Sequence, residues 1–151
     1  MSLETTVREA FKKRFGGEPA AIVRAPGRVN LIGEHTDYNA GFVMPMAIDF
    51  AVWVALRPRA DQEVRAYSLD YPDHPAEFSL TDIPHPHKQW TEYVTGVAHM
   101  LQTAGHTLKG WDGVVVGDVP RGAGLSSSAA IELAIARAFA HISGIKWDKR
   151  E

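Results

Sequence analysis

Apolar positions change their spacing several times along the chain, and each change predicts an element. Val7, Ala10, Phe11 and Phe15 share one helical face, so a helix is expected over residues 7–15, stopped by Gly16-Gly17. The short apolar run AAIVRAPG is cut by Pro26-Gly27 and reads as a strand entering a turn. GFVMPMAIDFAVWVALRP is rich in β-branched and aromatic residues and reads as one or two strands, with Pro45 marking an edge or a bulge. EVRAYSL alternates and predicts a strand, AEFSL predicts another, and DYPDHP between them is a turn. Apolar residues at 90, 93, 94, 97 and 101 make a helical stripe closed by Gly105. GWDGVVVGDVP reads as a strand. The strongest helix covers residues 125–142, with Ile131, Ile135, Ala138, Phe139 and Ile142 on one face and Gly144 as its C-cap. The expected order is therefore α-β-β-β-β-α-β-α, without internal repeat or linker. Trp147-Asp148 would open a further helix, which leads us to expect a longer fold than these residues complete.

Composition narrows the possibilities. The chain has 151 residues, 45% hydrophobic and 23% charged, which is globular composition. Its 16 basic and 18 acidic residues leave a net charge of −2, so neither a nucleic acid nor an acidic membrane is an expected partner. With 0 cysteines, disulfides, thiolate metal sites and cysteine nucleophiles are excluded. The amphipathic start MSLETTVREAFKKRFGG has no apolar core of the secretory type. A cytoplasmic location is expected.

Two stretches carry chemistry. In GAGLSSSA, Gly122 and Gly124 allow backbone to approach a ligand closely, Ser126, Ser127 and Ser128 supply hydroxyls, and a helix follows at once. A helix N-terminus offers unpaired N–H groups and the positive end of the macrodipole, which suits phosphate. The stretch is not a Walker loop, a dinucleotide fingerprint or a nucleophile elbow. A serine N-cap on a core helix explains the same residues about as well.

The second stretch, APGRVNLIGEHTDYNAG, crowds Arg28, Asn30, Glu34, His35, Asp37, Tyr38 and Asn39 among apolar residues. Several acceptors so close together suit a ligand with many hydroxyls, each of which needs a partner when buried. A metal on His35 with Glu34 and Asp37 is disfavoured, because no second well-spaced histidine accompanies it. His85-Pro86-His87 reads as a loop.

GRVNLIGEHTDYNAGFVMPMAID resembles the signature segment of galactokinases, and VPRGAGLSSSAA resembles the phosphate loop of the GHMP kinase superfamily to which they belong. QWTEYVTGV and GVVVGDVP are also galactokinase-like. The resemblance implies an α+β fold, a mixed β-sheet backed by helices similar to the second domain of ribosomal protein S5, with residues 1–151 forming an N-terminal domain. It implies phosphorylation of galactose at O1 by ATP with Mg²⁺, in a protein that is monomeric at full length. Glu34, His35, Thr36 and Asp37 would meet the sugar, and Arg28 the transferred phosphoryl group. Gly122, Ala123, Gly124, Leu125, Ser126, Ser127 and Ser128 would wrap the ATP phosphates, with Ser128 as a Mg²⁺ ligand. Trp90 and Ser68 would lie near the nucleotide. The family's catalytic Asp, its acidic Mg²⁺ ligand and its C-terminal domain are expected beyond residue 151. An N-acetylgalactosamine kinase, or a regulator that binds galactose and ATP without turnover, would share these motifs.

Overall fold

The computed structural model describes residues 2–33, 39–84 and 89–147. Helix α1 spans Leu3–Phe15, and Ser2 caps it by accepting the Thr5 N–H. Strands β1 (Ala21–Ile32), β2 (Met44–Pro58), β3 (Glu63–Ser68) and β4 (Ala76–Ser79) follow. Helix α2 (Thr91–Thr103), strand β5 (Trp111–Gly117) and helix α3 (Ser127–Ser143) complete the order. The expected succession of elements is observed. Gly144 ends α3 in the left-handed conformation, its N–H bonded to the Ala140 carbonyl.

The five strands form one mixed sheet in the order β1-β2-β5-β3-β4. Only β3 and β5 run parallel; the other neighbours are antiparallel. Alternation along β2 divides the interior in two. Val52, Val54 and Leu56 face the larger core beneath α2 and α3, with Ala134, Ile135, Ala138 and Phe139 from α3. Ala55 faces the other side, where Val7 and Phe11 of α1 pack against Val114 and Val116. Because β5 is covered on both faces, its apolar run is nearly continuous.

The turn expected at Pro26-Gly27 does not form. β1 runs through it to Ile32, with a register irregularity between Pro26 and Arg28. β1 is an edge strand, where a missing proline N–H costs no ladder bond, and the bulge absorbs Gly27. Arg28 and Asn30 therefore sit on a strand and not in a polar loop. Pro45 pairs with Asn30 beside a second irregularity, as its edge-or-bulge reading anticipates. The distal β1–β2 ribbon leaves Ile32, Phe42, Met44 and Met46 exposed.

Candidate functional site

A cleft of about 650 Å³ opens where the C-terminal ends of β3 and β5 meet the starts of α2 and α3. Ser68, Trp90, Ser127 and Ser128 line it, so residues from four separate parts of the chain converge there. Ser68 ends β3 and is buried, its hydroxyl accepting the Asp70 N–H at 3.1 Å. Trp90 is buried just ahead of α2 and donates its indole N–H to the His74 carbonyl. Its ring forms part of the wall, and its one polar group is already satisfied by the protein.

The loop before α3 adopts the backbone that its glycines permit, with φ of 71° at Gly122 and 70° at Gly124. Ser126, the residue preceding α3, is also left-handed, with φ 60° and ψ 43°. Non-glycine residues rarely adopt this conformation, and it is found where surrounding structure imposes it. The Ser126 side chain makes no capping bond. That argues against a simple serine N-cap: the Ser126 hydroxyl leaves the first N–H groups of α3 uncapped, and this first turn faces the cleft through Ser127 and Ser128. Gly122, Ala123 and Gly124 are exposed and stand outside the cleft lining, whereas Leu125 packs on the core.

Arg28 lies on β1 with an exposed side chain and does not line the cleft. Its main chain is nevertheless tied to the phosphate-type loop. The Arg28 N–H donates to the Leu125 carbonyl at 3.1 Å. A Cβ on neighbouring Gly27 would stand 2.9 Å from that same carbonyl oxygen, 3.0 Å from Val119 Cγ1 and 3.1 Å from Ile48 Cδ1. The two motifs that stand out in the sequence are thus held together by one hydrogen bond and one glycine contact. Gly27→Ala is expected to force this junction apart, lowering stability by about 1–3 kcal/mol. Gly96→Ala, in α2 where an added Cβ meets nothing within 4 Å, is expected to stabilise by about 0.5–1 kcal/mol. Thermal unfolding of both variants checks this contrast; equal effects would show that the junction is slack.

Glu34, His35, Thr36 and Asp37 lie outside the described residues, as do Tyr38, His85-Pro86-His87 and Asp148. The structure thus describes the strand that leads to the polar cluster, not the cluster itself. Four residues to which the sequence reading gives no role in the site also build it. The Tyr93 hydroxyl is 3.0 Å from Ser128 Oγ. Asp70 and Arg121 line the cleft and form an ion pair at 3.9 Å. Asp118 Oδ1 accepts the Ala51 N–H at 2.8 Å, fixing the start of the loop to β2. Tyr93 had a signal, since it belongs to the apolar stripe of α2, but the stripe reads as core.

Residues 9–58 match the model of the galactokinase galactose-binding signature, and residues 92–151 match that of the GHMP kinases N terminal domain. A galactokinase from Roseiflexus sp. (strain RS-1) is 56% identical over 133 residues, covering 88% of this chain and 34% of the relative. One from Chloroflexus aurantiacus is 49% identical over 142 residues, covering 93% of this chain and 36% of the relative. The crystal structure of Lactococcus lactis galactokinase complexed with galactose superposes with a TM-score of 0.88 at 34% identity, covering 97% of this chain and 39% of that one. Methanococcus jannaschii mevalonate kinase shares the fold at 20% identity, with a TM-score of 0.71 over 87% of this chain and 43% of that one. The chain spans about a third of the length of the curated relatives it matches.

The mixed five-stranded sheet with its helices is the fold of the GHMP kinases, whose N-terminal domain model residues 92–151 match. Within that superfamily the chain belongs to the galactokinase family.

Proposed function

We propose that the protein carrying this chain is a galactokinase, transferring the γ-phosphoryl group of ATP to O1 of galactose. The observation that carries this reading is the cleft that joins Ser68, Trp90, Ser127 and Ser128 at the uncapped start of α3. Phosphoryl transfer needs mainly positioning and neutralisation of charge, which a helix N-terminus behind a glycine loop supplies. Residues 122–128 would hold the phosphates, with Trp90 and Ser68 on the nucleoside side. Galactose, met by Glu34, His35, Thr36 and Asp37, would attack through O1. The new P–O bond forms as the bond from the γ-phosphorus to the β–γ bridging oxygen breaks, and ADP leaves. Arg28 would offer a planar fork of donors to the charge that grows on the transferred group.

Mg²⁺ would supply charge neutralisation across the phosphates. Ser128 Oγ is a hard oxygen donor at the cleft wall, the kind of ligand this ion takes. Among the described residues no group of three or more His, Cys, Asp or Glu could hold a metal. From the described residues, Ser128 would be the one to hold the ion. The base that takes the O1 proton and an acidic Mg²⁺ ligand are proposed to lie beyond residue 151, with a second domain. We further read the full-length protein as a cytoplasmic monomer; no described helix is long and apolar enough to cross a membrane.

The test is ADP release by the full-length protein across a panel of sugars with MgATP. Galactose-dependent turnover is the expected result. Turnover with N-acetylgalactosamine but not galactose would overturn the substrate, and binding of both ligands without turnover would favour a regulator.

A further inference from the structure

Arg121 is the only Lys or Arg among the described residues that line the cleft, yet it does not point freely into it. Its guanidinium lies 3.9 Å from Asp70 Oδ2 and 4.5 Å from the centre of the Tyr71 ring. The same Asp70 oxygen accepts the Gly117 N–H at 3.3 Å, so the carboxylate is anchored to the end of β5 while the arginine is not. The pair is long and monodentate, with side chains 58% and 34% exposed, features of an ion pair that adds little. Arg121 also begins the loop whose next glycine, Gly122, has φ 71° and open space around it, so the backbone leaves room for reorientation.

We infer that Arg121 is a phosphate-binding residue for the nucleotide triphosphate, held in reserve by Asp70 and Tyr71 until the nucleotide arrives. The inference rests on the proposal that ATP occupies this cleft. A triphosphate brings several negative charges next to Ser127 and Ser128. Guanidinium binds phosphate through two parallel charge-assisted hydrogen bonds, a stronger arrangement than a single exposed contact to one carboxylate oxygen. Asp70 is then a competitor: it draws the Arg121 guanidinium toward itself and repels the incoming anion. The two residues must act with opposite sign. Removing Arg121 weakens ATP binding, and removing the charge of Asp70 strengthens it. A merely structural pair would weaken binding from either side.

The experiment is calorimetric titration of the full-length protein and its Arg121→Gln and Asp70→Asn variants with MgATP and with adenosine. Asparagine keeps an acceptor for the Gly117 N–H, so Asp70→Asn removes the charge alone. For Arg121→Gln the Kd for MgATP is expected to rise about tenfold, with adenosine changed less than about twofold, since the lost bonds are charge-assisted and reach only the phosphates. For Asp70→Asn the Kd for MgATP is expected to fall about threefold, the modest worth of an exposed ion pair. The inference is overturned if Arg121→Gln leaves ATP binding unchanged, if it weakens adenosine equally, or if Asp70→Asn weakens ATP. Wild-type protein that binds neither ligand would instead overturn the assignment of the cleft to ATP, and this inference with it.

Discussion

Asp112→Ala is expected to lower stability by about 3–5 kcal/mol, because it takes the anion from Arg57 and one of its two anions from Arg59, and breaks the network they form. Asp112 is nearly inaccessible at the start of β5. Its Oδ2 accepts from Arg57 Nε and Nη2, each at 3.2 Å, and its Oδ1 accepts from Arg59 Nη1 at 2.8 Å. Arg57 stands opposite Asp112 in the β2–β5 ladder, so the ion pair is also a cross-strand pair. The same guanidinium donates to the Gly16 carbonyl at 3.0 Å and lies 5.6 Å from the Phe11 and Phe15 ring centres. The network therefore fastens α1 to the sheet as well as β2 to β5. A loss of this size corresponds to a fall in Tm on the order of 10 °C for a domain of this length. Asp61 makes a contrast. Arg59 beside it holds its carboxyl down to about 2, through a hydrogen bond that favours the charged form. That contribution is present above the ordinary carboxylate range and lost as pH falls toward 2. Asp61 is well exposed, so Asp61→Asn is expected to shift Tm by less than about 2 °C near neutral pH. Thermal unfolding of both variants checks the contrast. Equal small shifts would mean that the buried carboxylate contributes no more than the exposed one.

How far the fold could be read in advance follows from which signals are local. Helices α1 and α3 are legible because their apolar residues recur at helical spacing and glycines stop them, and both causes lie within the segment. The phosphate-type loop is legible for the same reason: its glycines, serines and helix are contiguous. The course of β1 is not. Whether Pro26-Gly27 turns the chain depends on β1 being an edge strand, and on Leu125, Val119 and Ile48 lying where a Cβ would collide, none of which neighbouring residues encode. The opposite wall of the cleft is hidden likewise. Asp70, Tyr93 and Arg121 look ordinary one at a time: a turn acid, a ring in an apolar stripe, a loop cation. They gain meaning only when the parallel pairing of β3 with β5 brings Asp70 to Arg121, and the packing of α2 on α3 brings Tyr93 to Ser128. Sheet order, which creates that adjacency, arises from long-range packing and leaves no periodic trace.

In the full-length protein Arg28→Lys is expected to lower kcat about 100-fold while changing KM for either substrate by less than about threefold, the pattern of an interaction realised in the transition state. The Arg28 N–H, bonded to the Leu125 carbonyl, fixes its backbone against the loop proposed to hold the phosphates. Lysine keeps that main-chain bond and the positive charge. What it loses is the planar fork that can meet two oxygens of a phosphoryl group at once. The exposed side chain and edge-strand position make a folding defect an inadequate explanation for a large loss. Steady-state kinetics with MgATP and galactose, alongside thermal unfolding of the variant, separate the outcomes. A fall in kcat at unchanged Tm assigns the guanidinium to the transferred group. A rise in KM for galactose with kcat preserved would move Arg28 to ground-state sugar binding, and unchanged kinetics would leave only its main chain in the site.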